Sequence, residues 1–179
     1  YTDYRDIRLT DGVITVRPFQ NDDAEALLAG EDEENKKGLQ EGRESTLEST
    51  RNWIKQVSGM GAWHILSHYA FAIDDNASGD LAGMIDVHAF PDVQSSIGDG
   101  EANIAYSIHP QFRGKGYAPR AVNLVLNFLP TQGVQRALIR AHPKNTSSIR
   151  VAEKGGFTRT ARVFRTDNKE PLIEFAKDL

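Results

Sequence analysis

Apolar and polar residues alternate loosely from Ile7 to Phe19, and Asp11-Gly12 breaks the run where a tight hairpin turn would sit. Strands are predicted on both sides of it. Asn21-Asp22-Asp23 then offers capping oxygens ahead of Ala24, Leu27 and Leu28, which predicts a short helix ending at Gly30. From Glu31 to Glu44 the chain is charged and aperiodic, and an irregular, mobile loop is expected. Ser45-Thr46-Leu47-Glu48 predicts the start of an amphipathic helix carrying Trp53, Ile54 and Val57 on one face and ending near Gly59 and Gly61.

Strand character returns at Tyr69 to Ile73 and from Gly79 to Phe90, with Asp74-Asp75-Asn76 turning between them, so the two are expected to pair antiparallel. Pro91 to Gly100 is turn-rich, and Glu101 to Ile108 reads as a further strand stopped by Pro110. Behind Pro119, Val122, Val125, Leu126 and Leu129 recur at helical spacing and predict a helix from Ala118 to Leu129. A buried-type strand from Val134 to Ala141 follows, then a short helix from Asn145 to Gly155. Phe157 to Arg165 and Leu172 to Lys177 make a closing strand pair. The order predicts an α/β (α+β) fold in one domain over residues 1–179, a mixed sheet with helices packed on it rather than a doubly wound parallel one.

Composition narrows the partners. The 179 residues suit one core, and with 39% hydrophobic and 26% charged residues the chain reads as ordinary globular protein. No apolar run approaches the ~20 residues of a membrane helix, and the first residues lack the basic-then-apolar pattern of a signal peptide, so no membrane partner and a cytoplasmic setting are expected. With no cysteine there is no thiolate metal site and no cysteine nucleophile. A net charge of −4 opposes nucleic acid as the main partner. The run Glu31-Asp32-Glu33-Glu34 reads either as an attractor for a cationic partner or as a solvated loop.

The most informative segment is Pro110-Gln111-Phe112-Arg113-Gly114-Lys115-Gly116-Tyr117-Ala118, between a strand end and a helix start. Unpaired N–H groups and the positive end of the helix dipole converge there, and glycines let the backbone close around a phosphate. Arg113, Lys115 and Arg120 add charge with no carboxylate beside them in the sequence. The plainer reading is a turn with solvated basic residues. A Walker loop needs Ser or Thr after the lysine, where Gly116 stands, and the dinucleotide fingerprint needs a small residue where Pro119 stands.

Tyr106 to Ala118 resembles the acyl-CoA signature of the GNAT superfamily of N-acyltransferases, Arg/Gln-x-x-Gly-x-Gly/Ala. Asn145-Thr146-Ser147-Ser148 with Glu153-Lys154-Gly155-Gly156-Phe157 resembles the family's second motif. Val16-Arg17-Pro18-Phe19, Asp22-Asp23-Ala24 and the Trp53-Ile54 helix are similar to the Rim type, which acetylates N-terminal amines of ribosomal proteins. The resemblance implies a mostly antiparallel sheet of six to seven strands, splayed at its centre, with about four helices. It implies acetyl-CoA as co-substrate, its pantetheine arm between the strand ending at Ile108 and the strand at Leu138-Ile139. Backbone groups near Ile108 would bind that arm, and N–H groups of Arg113, Gly114, Lys115, Gly116, Tyr117 and Ala118 the pyrophosphate. Asn145 would meet the pantetheine and Ser148 the sulfur. The reaction implied is direct attack of a neutral amine on the thioester, and a homodimer involving Phe164 and the closing strand pair fits the family's habits.

A base is needed because amines are protonated near neutral pH. The Rim pattern often has a glutamate where this chain has Asn103. Glu101, on the same strand face, is the first candidate, its alternative being a solvated strand-end carboxylate. Asp86 and His88 share a face on the preceding strand and rank next as acceptor-pocket residues. Ser148 is the candidate to protonate the departing thiolate. His109 and His142 fall at strand ends, where histidines are more often merely polar. His64 and His68 lack the glutamate of a zinc-protease helix, so no metal is expected. A non-catalytic acyl-CoA sensor is the competing reading, since Asn103 replaces a carboxylate.

Overall fold

The computed structural model describes residues 3–32, 45–59, 68–89, 96–165 and 170–179. Glu33 to Glu44, Gly61, His64 and Pro91 to Ser95, on which some expectations fall, lie outside the described residues. The first hairpin joins β1 (Leu9–Thr10) to β2 (Ile14–Pro18). Asp11 drives its turn by accepting from the N–H groups of Val13 and Ile14 at 2.9 and 3.0 Å. A 3₁₀ turn at Asn21–Asp23 leads into α1 (Ala24–Gly30), and α2 spans Leu47–Gly59. The capping expected for α2 is reciprocal: Ser49 N–H donates to Thr46 Oγ1 at 3.0 Å and Thr46 N–H to Ser49 Oγ at 2.9 Å.

Then follow β3 (His68–Asp75), β4 (Leu81–Ala89), β5 (Glu101–Ile108), α3 (Tyr117–Phe128), β6 (Arg136–Ala141), α4 (Thr146–Lys154), β7 (Thr158–Arg165) and β8 (Pro171–Asp178). All eight strands join one sheet in the order β1-β2-β3-β4-β5-β6-β8-β7. The sheet thus has eight strands, one for each strand that the hydrophobic pattern predicts, where the family resemblance implied six to seven; the two-residue β1 at its rim is the shortest. Every neighbouring pair is antiparallel except β5 with β6.

That parallel pair is the feature that places the site. Its register runs only through Glu101↔Arg136, Ala102↔Ala137 and Asn103↔Leu138, after which the strands part. β6 keeps its other neighbour throughout, pairing with β8 from Arg136 to Ala141. On one sheet face α3 and α4 bury Val122, Val125 and Ala152 against Ile85, Val87 and Ile104. On the other, α1 and α2 bury Leu27, Ile54 and Val57 against Ala70, Ala72 and Met84. Each fully buried large aliphatic side chain contributes roughly 1.5–3 kcal/mol, enough for both helix pairs to stay on the sheet. Among the described residues no helix is long and apolar enough to cross a membrane.

Arg17 locks the α1/α2 face. Its guanidinium binds both oxygens of Asp23, at 2.8 and 2.9 Å, and both of Asp74, so β2, β3 and the entry to α1 share one largely covered cation. The Arg17-Pro18-Phe19 and Asp22-Asp23 signature therefore has a structural use.

Candidate functional site

A cavity of about 510 Å³ opens where β5 leaves β6. Ile104 to Ile108 form one wall and Ile139 to His142 the opposite one, with the 113–119 loop and helix start at one end and Asn145, Ser147 and Ser148 beside them. Of the residues expected to hold an acyl-CoA, Ile108, Arg113, Gly114, Gly116, Tyr117, Ala118, Asn145 and Ser148 all line this one space. Lys115 is not in the lining, and its ammonium lies over the Phe112 ring, 5.4 Å from the centroid.

The loop is shaped for an anion. Gly114 and Gly116 both take φ of +76°, a left-handed conformation that other residues adopt at a cost of ~1–2 kcal/mol, and a methyl group at either would meet nothing within 4 Å. Gly116 is the N-cap of the twelve-residue α3, so the first-turn N–H groups lack helical acceptors and face the cavity end. Tyr117 fixes this helix start by turning inward, its buried hydroxyl donating to Asp75 on β3. That hydrogen bond, then burial, pushes the phenol upward, and Asp75 is held below the usual carboxylate range by Ser78 and Tyr117.

The charge around the loop differs from the sequence expectation. Arg113 is bound by Asp32, at 2.8 and 3.2 Å, and Arg120 by Asp11 at 2.8 Å. Both carboxylates come from far along the chain, so sequence neighbourhood did not reveal them. Arg113 Nε also donates to the Ile108 carbonyl at 3.0 Å, bracing the end of β5.

Within the same lining, the Tyr106 and Ser148 hydroxyls lie 2.9 Å apart, and both residues face the cavity. Burial pushes the Tyr106 phenol up, with Ser148 pulling the other way. Asn145 caps α4, its Oδ1 accepting from Ser148 N–H at 3.1 Å, and so sets the serine. The sequence motif alone gives Tyr106 no role, because its partner lies 42 positions away.

Glu101 starts β5 at the closed end of the splay, where Arg162 binds it at 3.3 Å while also binding the fully buried Glu174 at 2.9 Å. Phe164, offered as a dimer contact, is stacked within its own chain under Arg140, 3.5 Å from the ring centre. Antiparallel register puts Asp86 opposite Ala105 and His88 opposite Asn103, all on the α1/α2 face. His68 stacks on His88, and these two with Asp86 offer donor atoms within 4.8 Å of one another. His109 is buried against α1, where burial holds it below the usual histidine range. His142 lines the cavity mouth, 3.4 Å from Glu170.

The sequence matches the family described as acetyltransferase (GNAT) domain over residues 14–158. Comparison with curated proteins gives no significant match. Similar solved structures include a GNAT-family acetyltransferase from Bacillus anthracis, 23% identical with TM-score 0.77 over 96% of this chain and 98% of that one. The ribosomal-protein-S5-alanine acetyltransferase of Vibrio fischeri is 18% identical with TM-score 0.74, covering 97% of each chain. The self-immunity acetyltransferase MccE, solved with acetyl-CoA and AMP, is 19% identical with TM-score 0.76 over 95% of this chain and 94% of that one.

Proposed function

This chain belongs to the GNAT acetyltransferase domain family, and from that premise we propose that it moves the acetyl group of acetyl-CoA onto a primary amine. One observation carries the reading: the αL glycine loop, the α3 N-terminus and the Tyr106–Ser148 pair all border the single cavity in the splay. The pyrophosphate sits on the N–H groups of Gly114, Gly116, Tyr117 and Ala118, the Arg113 N–H being taken by the Pro110 carbonyl at 3.3 Å, and the pantetheine arm runs between β5 and β6. MccE, of similar fold, is solved with acetyl-CoA, which supports the same occupant here.

The amine nitrogen attacks the thioester carbon, the C–S bond breaks, and a proton lost by the nitrogen reaches the thiolate through Ser148 and Tyr106. The protein supplies position, worth several orders of magnitude in rate when reacting atoms are held in line, and a proton path worth ~10²–10⁴-fold. Tyr106 stands on the α3/α4 side of the sheet and the acceptor enters from the α1/α2 side. Glu101, the first sequence candidate for the base, is engaged by Arg162, and we assign it to holding that arginine. The acceptor is a protein N-terminal amine or a small-molecule amine.

The test is thiol release from acetyl-CoA with N-terminal peptides, polyamines and aminoglycosides, with product masses measured. One acceptor class that gains a single acetyl group supports the proposal. Tight acetyl-CoA binding with no acceptor turned over would favour the sensor reading that Asn103 suggests.

A further inference from the structure

Three ionisable side chains, Asp86 and His88 one strand from the cavity wall and His68 two strands from it, have no part in the chemistry so far. His68 pairs across the β3–β4 ladder with His88, and their rings stack 4.1 Å apart with planes 7° from parallel. Asp86 brings a carboxylate oxygen to 3.6 Å from His68 Nε2. His68 Nε2 and the second oxygen of Asp86 are buried and make no hydrogen bond, and the same holds for Asn103 Oδ1, on the strand next to His88. A buried polar atom without a partner costs roughly 1–3 kcal/mol, so such atoms gathered on one face point to a polar group supplied from outside.

The location gives that group a chemistry. Asp86 is opposite Ala105, which lines the cavity, and the α1/α2 face carries both. The Tyr106 side chain points to the opposite face, toward Ser148 on α4. An amine reaching a thioester in the splay from the α1/α2 face passes this cluster, while the departing sulfur meets the hydroxyl pair. Among the described residues, the other titratable groups on this face are few. β5 adds Glu101, held by Arg162, and β2 adds Arg17, saturated by Asp23 and Asp74. His109 lies buried against Gly30 of α1, Asp32 just after α1 is bound to Arg113, and α1 and α2 present Leu27, Ile54 and Val57.

We propose that His68, Asp86 and His88 form the site that receives the acceptor as an ammonium ion and takes its surplus proton. An N–H of the ammonium donates to the unpaired Asp86 oxygen, and one proton passes to the imidazole pair, with Asp86 balancing the charge. The neutral amine then attacks, its second proton leaves with the thiolate, and the imidazolium returns its proton to water. Net, an ammonium and acetyl-CoA give an amide, free thiol and one proton. This inference rests on the acetyl-transfer reading and adds the acceptor's charge class and the proton's destination.

The experiment follows acceptor kcat/KM against pH, using an amine found active in the panel, for wild type, Asp86→Asn, His88→Gln, His68→Gln and Glu101→Gln. Asp86→Asn and His88→Gln are expected to lower kcat/KM for the acceptor about 10²-fold and to displace its acidic limb, with acetyl-CoA binding and the thermal midpoint retained. In the wild type, with coenzyme A bound, imidazole ¹⁵N signals of both histidines should move when the acceptor is added, a readout independent of variant folding. Unmoved signals, or variants that keep wild-type rates and pH profile, overturn the proposal while the transferase reading stands. So does loss of the acidic limb in Glu101→Gln instead. Activity that a chelator removes and zinc restores would make the cluster a metal site and also overturn it. A wild type that binds acetyl-CoA yet turns over no amine brings down both readings together.

Discussion

In the relay proposed above, the Tyr106 and Ser148 hydroxyls form a chain of two, which breaks at either link. Ser148→Ala and Tyr106→Phe are each expected to lower kcat about 10²-fold with little change in the KM for acetyl-CoA, and the double variant to be scarcely worse than either single. Steady-state kinetics of the three variants check this, and additive losses would contradict it. Half of the pair was legible: Ser148 stands in a motif, but Tyr106 acquires its partner only when α4 is folded against β5. The partner of Glu101 is just as remote in sequence, since Arg162 approaches it from β7. At Gly30 a methyl group would lie 2.0 Å from the His109 ring, so Gly30→Ala should destabilise the fold by roughly 1–3 kcal/mol in urea unfolding.

Elements were read well wherever periodicity was long. α3 begins at Tyr117 and ends at Phe128 against an expected Ala118 to Leu129, because Val122, Val125 and Leu126 need burial on one face and Gly116 ends the loop sharply. Strand β6 starts at Arg136, two residues after the apolar run begins, since Val134 is buried by the preceding turn and not by the ladder. What periodicity does not carry is how elements are bolted together. Arg17 binds two carboxylates with its own side chain only 12% exposed, so Arg17→Ala leaves both uncompensated and should cost about 3–5 kcal/mol. Denaturant unfolding is the check, and a loss below one kcal/mol would show the triad to be dispensable.

For the whole molecule, burial sets the pH limits of stability. His109 is held below the histidine range by burial, so as pH falls through about 6.5 the unfolded chain takes a proton that the native one refuses, and stability present above that value is lost. Burial pushes the Tyr4 phenol up to about 12, so on the alkaline side the unfolded tyrosine ionises first and stability drains away as pH rises from about 10. Thermal melts across this range should therefore give a plateau flanked by two declines, and a melting point that climbs into acid would contradict the first. The α/β class and the helix count were legible from the order of elements, and the splay only through the family resemblance; the two-sided arrangement, hydroxyls below the sheet and imidazoles above, was not, because it depends on cross-strand register.

The short β5–β6 register carries one more consequence. A sheet normally has two rims, both at its borders, but parting two central strands gives this one a second pair of rims in its own middle. Rims are where foreign strands attach. Here they line a cavity of about 510 Å³ bordered by the starts of α3 and α4, where a slender arm with amide groups of its own can meet them. The molecule thus keeps a docking edge inside its own sheet, and deuterium uptake at residues 104–108 and 139–141 should slow when coenzyme A binds, as though the sheet had been completed.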